Sequence, residues 1–322
     1  MNDHRVNEHF ADRLLAACFH RRTPICVGLD PVYERLPAAL LRDVGANCGV
    51  NSGVNSGGDG EGVRGRVDAL RRFCSQVLQT VAPHVPCVKI QAACFERYQW
   101  LGVEALRALI GEARGLGLIV ILDAKRGDIG ISSAHYAAGC LADARYDDLG
   151  ALPGPDALTI NPYMGLDTIE PFIDTATAAG KGLFALVRTS NPGSDAIQNL
   201  ALAQGGTVAQ AMAGMIAAAG DKSIGQSGYS LLGAVVGATK PDDAARLREL
   251  MPRQIFLVPG FGAQGGTADD VRACFNADGA GAIITASRSI LYAYEKSDEK
   301  GWAVAVEKAT IRMKSEIEAI LG

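Results

Sequence analysis

The chain has 322 residues with a formal net charge of −4 and a sequence pI near 5.8, so overall charge gives no reason to expect nucleic acid or an anionic membrane as partner. Hydrophobic residues make up 48% and charged residues 20% of the sequence, enough for a large core, and no apolar run approaches the roughly 20 residues of a membrane span. Eight cysteines without a Cys-x-x-Cys pair and five scattered histidines exclude a recognisable zinc site, so no metal is expected; free buried thiols in a reducing cytoplasm are.

The N-terminus, MNDHRVNEHFADRL, is polar and reads as a helix start rather than a signal peptide. The first strand-length apolar run is ICVGLD (25–30). After it comes a Gly/Asn/Ser-rich stretch at 45–65 with a short NSGVNSG repeat, whose composition predicts a flexible surface insertion within one domain spanning 1–322. The apolar runs then resume as PCVKIQ (86–91), LIVILDAK (118–125), DALTIN (156–161), GLFALVRTS (182–190), SLLGAVVG (230–237), QIFLVPG (254–260) and GAIITAS (281–287). Near-continuous hydrophobicity suits parallel strands covered on both faces. Between the runs lie helical patterns such as 102–117 and 238–251, the latter with Pro241, Asp242 and Asp243 suited to a first turn. Strand and helix units in this number predict an α/β fold, a (β/α)8 TIM barrel. A doubly wound open sheet is the rival, but no GxGxxG turn follows the first strand.

Reacting groups in such barrels sit at the C-terminal ends of strands. Asp30 ends the first run, Lys89 lies on the second, and Asp123 and Lys125 end the third, with Asp128 just beyond. Asp123 and Lys125 are two apart, so an extended strand points both to one side. One charged residue at a strand end is ordinary. Five emerging from strongly apolar strands predict an array in which acids and lysines offset each other's burial and hold one lysine charged as a general acid. GAQGG (262–266) and Ser287-Arg288 follow the last two strands, where barrels commonly bind phosphate through backbone N–H groups and a bidentate arginine.

DAKRGDIG (123–130) resembles the Asp-x-Lys-x-x-Asp signature of the orotidine 5'-phosphate decarboxylases. GLD (28–30), VKIQ (88–91), VPGFGAQGG (258–266) and TASRSI (285–290) extend the resemblance over nearly the whole barrel, and TSNPGS (189–194) brings it closer to the bacterial branch with larger insertions. The resemblance implies cofactor-free decarboxylation of orotidine 5'-phosphate to UMP and CO2, the last step of de novo pyrimidine nucleotide synthesis. It implies Lys125 as proton donor, Asp123 beside the departing carboxylate, and Asp30 and Lys89 on ribose hydroxyls and in the charge network. It further implies a homodimer in which Asp128 and Ser132 enter the partner's site. Ser190 would read the pyrimidine edge and Gln264 and Arg288 the phosphate, with Pro259 and Ser287 in the same substrate-binding set. Two alternatives accompany this reading. One is a metal-dependent sugar-phosphate lyase or aldolase of the same superfamily, which is expected to carry an acidic metal ligand where this chain has Lys89; the other is a catalytically silent phosphate-binding barrel.

Overall fold

The structure is a computed structural model that describes residues 8–41, 62–146, 150–262, 265–297 and 301–321. Its strands in chain order are β1 (Ile25–Leu29), β2 (Cys87–Gln91), β3 (Ile119–Arg126), β4 (Ala144–Tyr146), β5 (Gly150–Leu152), β6 (Ala157–Ile160), β7 (Gly182–Arg188), β8 (Leu232–Val236), β9 (Phe256–Pro259) and β10 (Ala282–Ala286). Eight of them close a barrel in the order β1-β10-β9-β8-β7-β6-β3-β2, and every neighbouring pair in it is parallel. These are the eight apolar runs of the sequence, trimmed by one to a few residues, except that β3 runs one residue further than its run, to Arg126. β1, β8 and β10 are buried at every position, because one face meets the lumen and the other the helices.

The covering helices are amphipathic. Helix Val63–Val81 buries Val67, Leu70, Phe73, Cys74, Val77, Leu78 and Val81, the three- and four-residue spacing of a core-facing stripe. Helix Pro241–Leu250 begins on its proline with Asp242 and Asp243 in the first turn, as the sequence suggests. The pattern at 102–117 is realised as helix Gln99–Gly115, which stops where Gly117 turns left-handed at φ 81°. Of the Gly/Asn/Ser-rich stretch, residues 45–61 lie outside the described residues, whereas Val63–Gly65 form the first turn of helix Val63–Val81 rather than part of a loop. β4 and β5 form a small antiparallel pair that no sequence pattern announces, since ARY and GAL are too short to carry an alternation. Among the described residues no helix is long and apolar enough to cross a membrane.

Two strands break register at their C-terminal ends. On β3 the irregularity falls between Leu122 and Arg126, and on β7 between Leu186 and Arg188. Bulges of this kind re-aim side chains and concentrate beside active sites. Both occur at the same mouth of the barrel.

Candidate active site

At that mouth lies a cavity of about 620 Å3, a size suited to a nucleotide. Asp30, Lys89, Asp123 and Lys125 all line it, each supplied by the end of a different run or, for Asp123 and Lys125, by the bulged end of β3. Lys125 takes φ 47°, a left-handed conformation costly for a residue with a Cβ. Its backbone N–H donates to Thr159 Oγ1 at 2.9 Å, which ties the kink to β6. Through this kink, not through plain strand alternation, the ammonium reaches the side occupied by Asp123.

Asp123 is the hub. Lys89 Nζ donates to its Oδ2 at 2.7 Å and Lys125 Nζ to its Oδ1 at 2.6 Å. Thr159 Oγ1 donates to Oδ1 at 2.9 Å and Gln91 Nε2 to Oδ2 at 3.3 Å. Asp30 stands 3.7 Å from Lys89 Nζ on the other side, and its buried Oδ1 has no hydrogen-bond donor among the described residues. It is therefore free to accept from a ligand hydroxyl.

The electrostatics follow from burial. Lys89 and Asp123 are only 5% and 6% exposed, which by itself penalises both charges. Burial pulls the Lys89 pKa down, but Asp30 and Asp123 outweigh it and raise the value. Burial likewise pushes the Asp123 carboxyl up, and Lys89 and Lys125 overcome this to hold it well below the usual carboxylate range. Both groups stay ionised at neutral pH. The lumen thus presents Lys125, half-exposed, as a fixed ammonium facing the cavity.

Ser190, Pro259, Ser287 and Arg288 also line the cavity. Arg288 is exposed and forms no ion pair within the described residues, which leaves its guanidinium open to an anion. Two glycines make room for these groups: a Cβ on Gly28 would meet Ser287 Oγ at 1.9 Å, and one on Gly237 would meet Ser190 Cβ at 2.9 Å. Gln264 lies outside the described residues. Gln91, Thr159 and Thr285 also face the cavity and were not singled out from sequence, although each is a polar residue near the end of an apolar strand, the same signal that marks Asp30 and Lys89.

Asp128 and Ser132 do not line the cavity of their own chain. Asp128 Oδ1 instead accepts from the Ile129 backbone N–H at 2.8 Å. Around them Ile129 and Ile131 are 61% and 76% exposed, an apolar surface next to the entrance of helix Gly130–Leu141.

Known proteins carry the same architecture. The profile of the Orotidine 5'-phosphate decarboxylase / HUMPS family matches residues 23–300. The orotidine 5'-phosphate decarboxylase of Rhodopirellula baltica is 41% identical over 96% of this chain and 99% of its own length. That of Deinococcus radiodurans is 38% identical over 97% and 98%. The solved structure of Leishmania donovani OMP decarboxylase is 27% identical, covers 97% of this chain and 98% of its own, and superposes with a TM-score of 0.69. With the closed parallel barrel, the cavity at its C-terminal mouth and full-length relatives in agreement, the chain belongs to the orotidine 5'-phosphate decarboxylase / HUMPS family.

Proposed function

We propose that this chain is a carbon–carbon lyase that converts orotidine 5'-phosphate to UMP and CO2 without metal or cofactor. One observation carries the reading: a buried aspartate clamped between two lysines at 2.7 and 2.6 Å, one of whose ammonium groups faces the cavity. Breaking the C6–carboxylate bond leaves its electron pair in the plane of the pyrimidine ring, where no π system can take it up. A positive charge held beside C6 before the bond breaks is the direct remedy, since it needs no reorganisation during the reaction. Lys125 then donates its proton to C6 and regains one from solvent. Asp123 lies beside the departing carboxylate and keeps Lys125 aimed; Asp30 and Lys89 hold the ribose hydroxyls; Ser190 meets the base; Pro259, Ser287, Arg288 and Gln264 surround the phosphate end.

Lys89 favours the decarboxylase over the metal-dependent branch. An ammonium between Asp30 and Asp123 fills the space a divalent cation would need and repels one. The test is a spectrophotometric assay of orotidine 5'-phosphate loss with no added metal. Turnover should be the same with and without EDTA; loss on chelation, restored by magnesium, would reverse the assignment.

Arg288→Ala is expected to lower kcat/KM for the nucleotide by about a hundredfold or more, the scale of a lost charge-assisted pair, and to leave the nucleoside orotidine unaffected. Equal values for mutant and wild type with the nucleotide would remove Arg288 from the phosphate site.

The same reading includes a cytoplasmic homodimer in which Asp128 and Ser132 reach the partner's cavity across the Ile129–Ile131 surface, which is how an exposed apolar patch is usually covered. Asp128→Ala and Lys125→Ala should each be inactive alone. Mixed and re-associated in equal amounts, they should recover about a quarter of wild-type activity, because half the dimers then hold one intact site. No recovery in a mixture proven to exchange subunits would place Asp128 in its own chain's machinery.

A further inference from the structure

Arg188 is the largest fully buried side chain among the described residues, with 0% exposure, and the chemistry proposed above makes no use of it. A charged group so placed needs dense compensation, and it has it. Its Nε donates to Asp243 Oδ2 at 2.8 Å, its Nη1 to Ser194 Oγ at 2.8 Å and Gln198 Oε1 at 3.2 Å, and its Nη2 to Asp195. Asp195 is shared with Lys240 at 2.7 Å. The break in register on β7 explains the direction. Leu186 and Val187 both line the cavity, so Arg188 turns outward, beneath the 189–198 segment.

That segment is wound around the guanidinium. Gln198 Oε1 also accepts from the Thr189 backbone N–H at 2.9 Å, its Nε2 donates to Thr189 Oγ1 at 2.9 Å, and Ser194 Oγ donates to the Thr189 carbonyl at 3.1 Å. Thr189 is therefore held at three atoms by residues that Arg188 orders. Ser190 follows it directly, backed by the close approach of Gly237, and its hydroxyl makes no hydrogen bond among the described residues. A free hydroxyl one residue beyond a braced backbone is a preorganised contact.

We propose that Arg188 is a positioning residue: through Ser194, Asp195 and Gln198 it fixes the loop that presents Ser190 to the pyrimidine of the substrate. The inference rests on the proposed decarboxylase reading and assigns base recognition to a buried latch outside the cavity. The ribose and phosphate contacts lie on other strands and do not depend on it.

The test compares two ligands, UMP, which carries the base, and ribose 5-phosphate, which lacks it, by calorimetric titration of the full-length protein. Arg188→Met should weaken UMP by about ten- to a hundredfold, the cost of a misplaced contact of this kind, and leave ribose 5-phosphate within about twofold. Arg188→Lys, which keeps the charge but cannot span all the acceptors, should fall between. Adding Ser190→Ala to Arg188→Met should cost little further, since the contact is already lost. If Arg188→Met does not fold, Asp195→Asn, at a half-exposed side chain, takes its place with the same selective loss expected. Unchanged UMP affinity, or equal loss for both ligands, overturns the latch and leaves the decarboxylase reading standing. A wild-type protein that binds neither ligand overturns both.

Discussion

Lys125→Ala is expected to reduce turnover of orotidine 5'-phosphate by at least about ten-thousand-fold, because one group supplies both charge stabilisation and the proton. Loss of a preorganised donor alone removes about 10²–10³ in rate, and loss of a positioned general acid about 10²–10⁴. The lone pair left at C6 cannot spread into the ring, so neither contribution has a substitute. Binding should survive. UMP presents only a C–H bond toward Lys125, and its ribose and phosphate meet other residues, so titration with UMP should give an affinity near the wild-type value. The fold should survive as well. Asp123 retains Lys89, Thr159 and Gln91 as partners, and a half-exposed side chain leaves no cavity in the core when truncated. Turnover within tenfold of wild type would take Lys125 out of the reaction.

The barrel and most of its mouth are readable from short stretches of sequence. Each barrel strand announces itself locally as an apolar run, and Asp30, Lys89, Asp123 and Lys125 stand out as charges where such runs end. What escapes is information that only the closed barrel contains. Strand alternation places Asp123 and Lys125 on one side, yet their meeting depends on the bulge between Leu122 and Arg126 and on φ 47° at Lys125, held by Thr159 from the next barrel strand. No local pattern in ILDAKR marks that kink. Arg188 ends an apolar run as Asp30 does, so by the same rule it would be expected to face the cavity. The break on β7 sends it outward to acids 7 and 55 residues away. Asp128 and Ser132 illustrate a different gap: their strand-end spacing is visible, but a single chain leaves them outside its own cavity.

Asp123→Asn is the second substitution expected to have a large effect, and it should act through charge rather than shape. The amide keeps the volume and can still accept from Thr159 and Lys125, but it cannot balance two ammonium groups. Lys89, deeply buried, would be left with Asp30 at 3.7 Å as its remaining acid among the described residues. Removing one partner of a buried pair costs about 3–5 kcal/mol, so a drop in thermal midpoint should accompany a fall in kcat of about a hundredfold or more as Lys125 loses its orientation. The pH dependence separates the two effects. The folded-state pKa of Asp123 is depressed, so the stability it contributes is complete above the unfolded carboxyl value of about 3.9 and disappears as pH falls through the lower folded value. The Lys89 pKa is raised, so its contribution is complete below the unfolded value of about 10.4 and disappears as pH rises through the higher one. Between roughly pH 5 and pH 9 neither group changes charge in the folded protein. Wild-type and Asp123→Asn stabilities should therefore run parallel around neutrality and converge in acid, where the wild-type carboxylate is protonated and the variant has nothing to lose, and again in alkali, where Lys89 gives up its charge. A gap that instead closed near neutrality would mean that Asp123 is not held ionised by its two lysines, and the charge array would lose its physical basis.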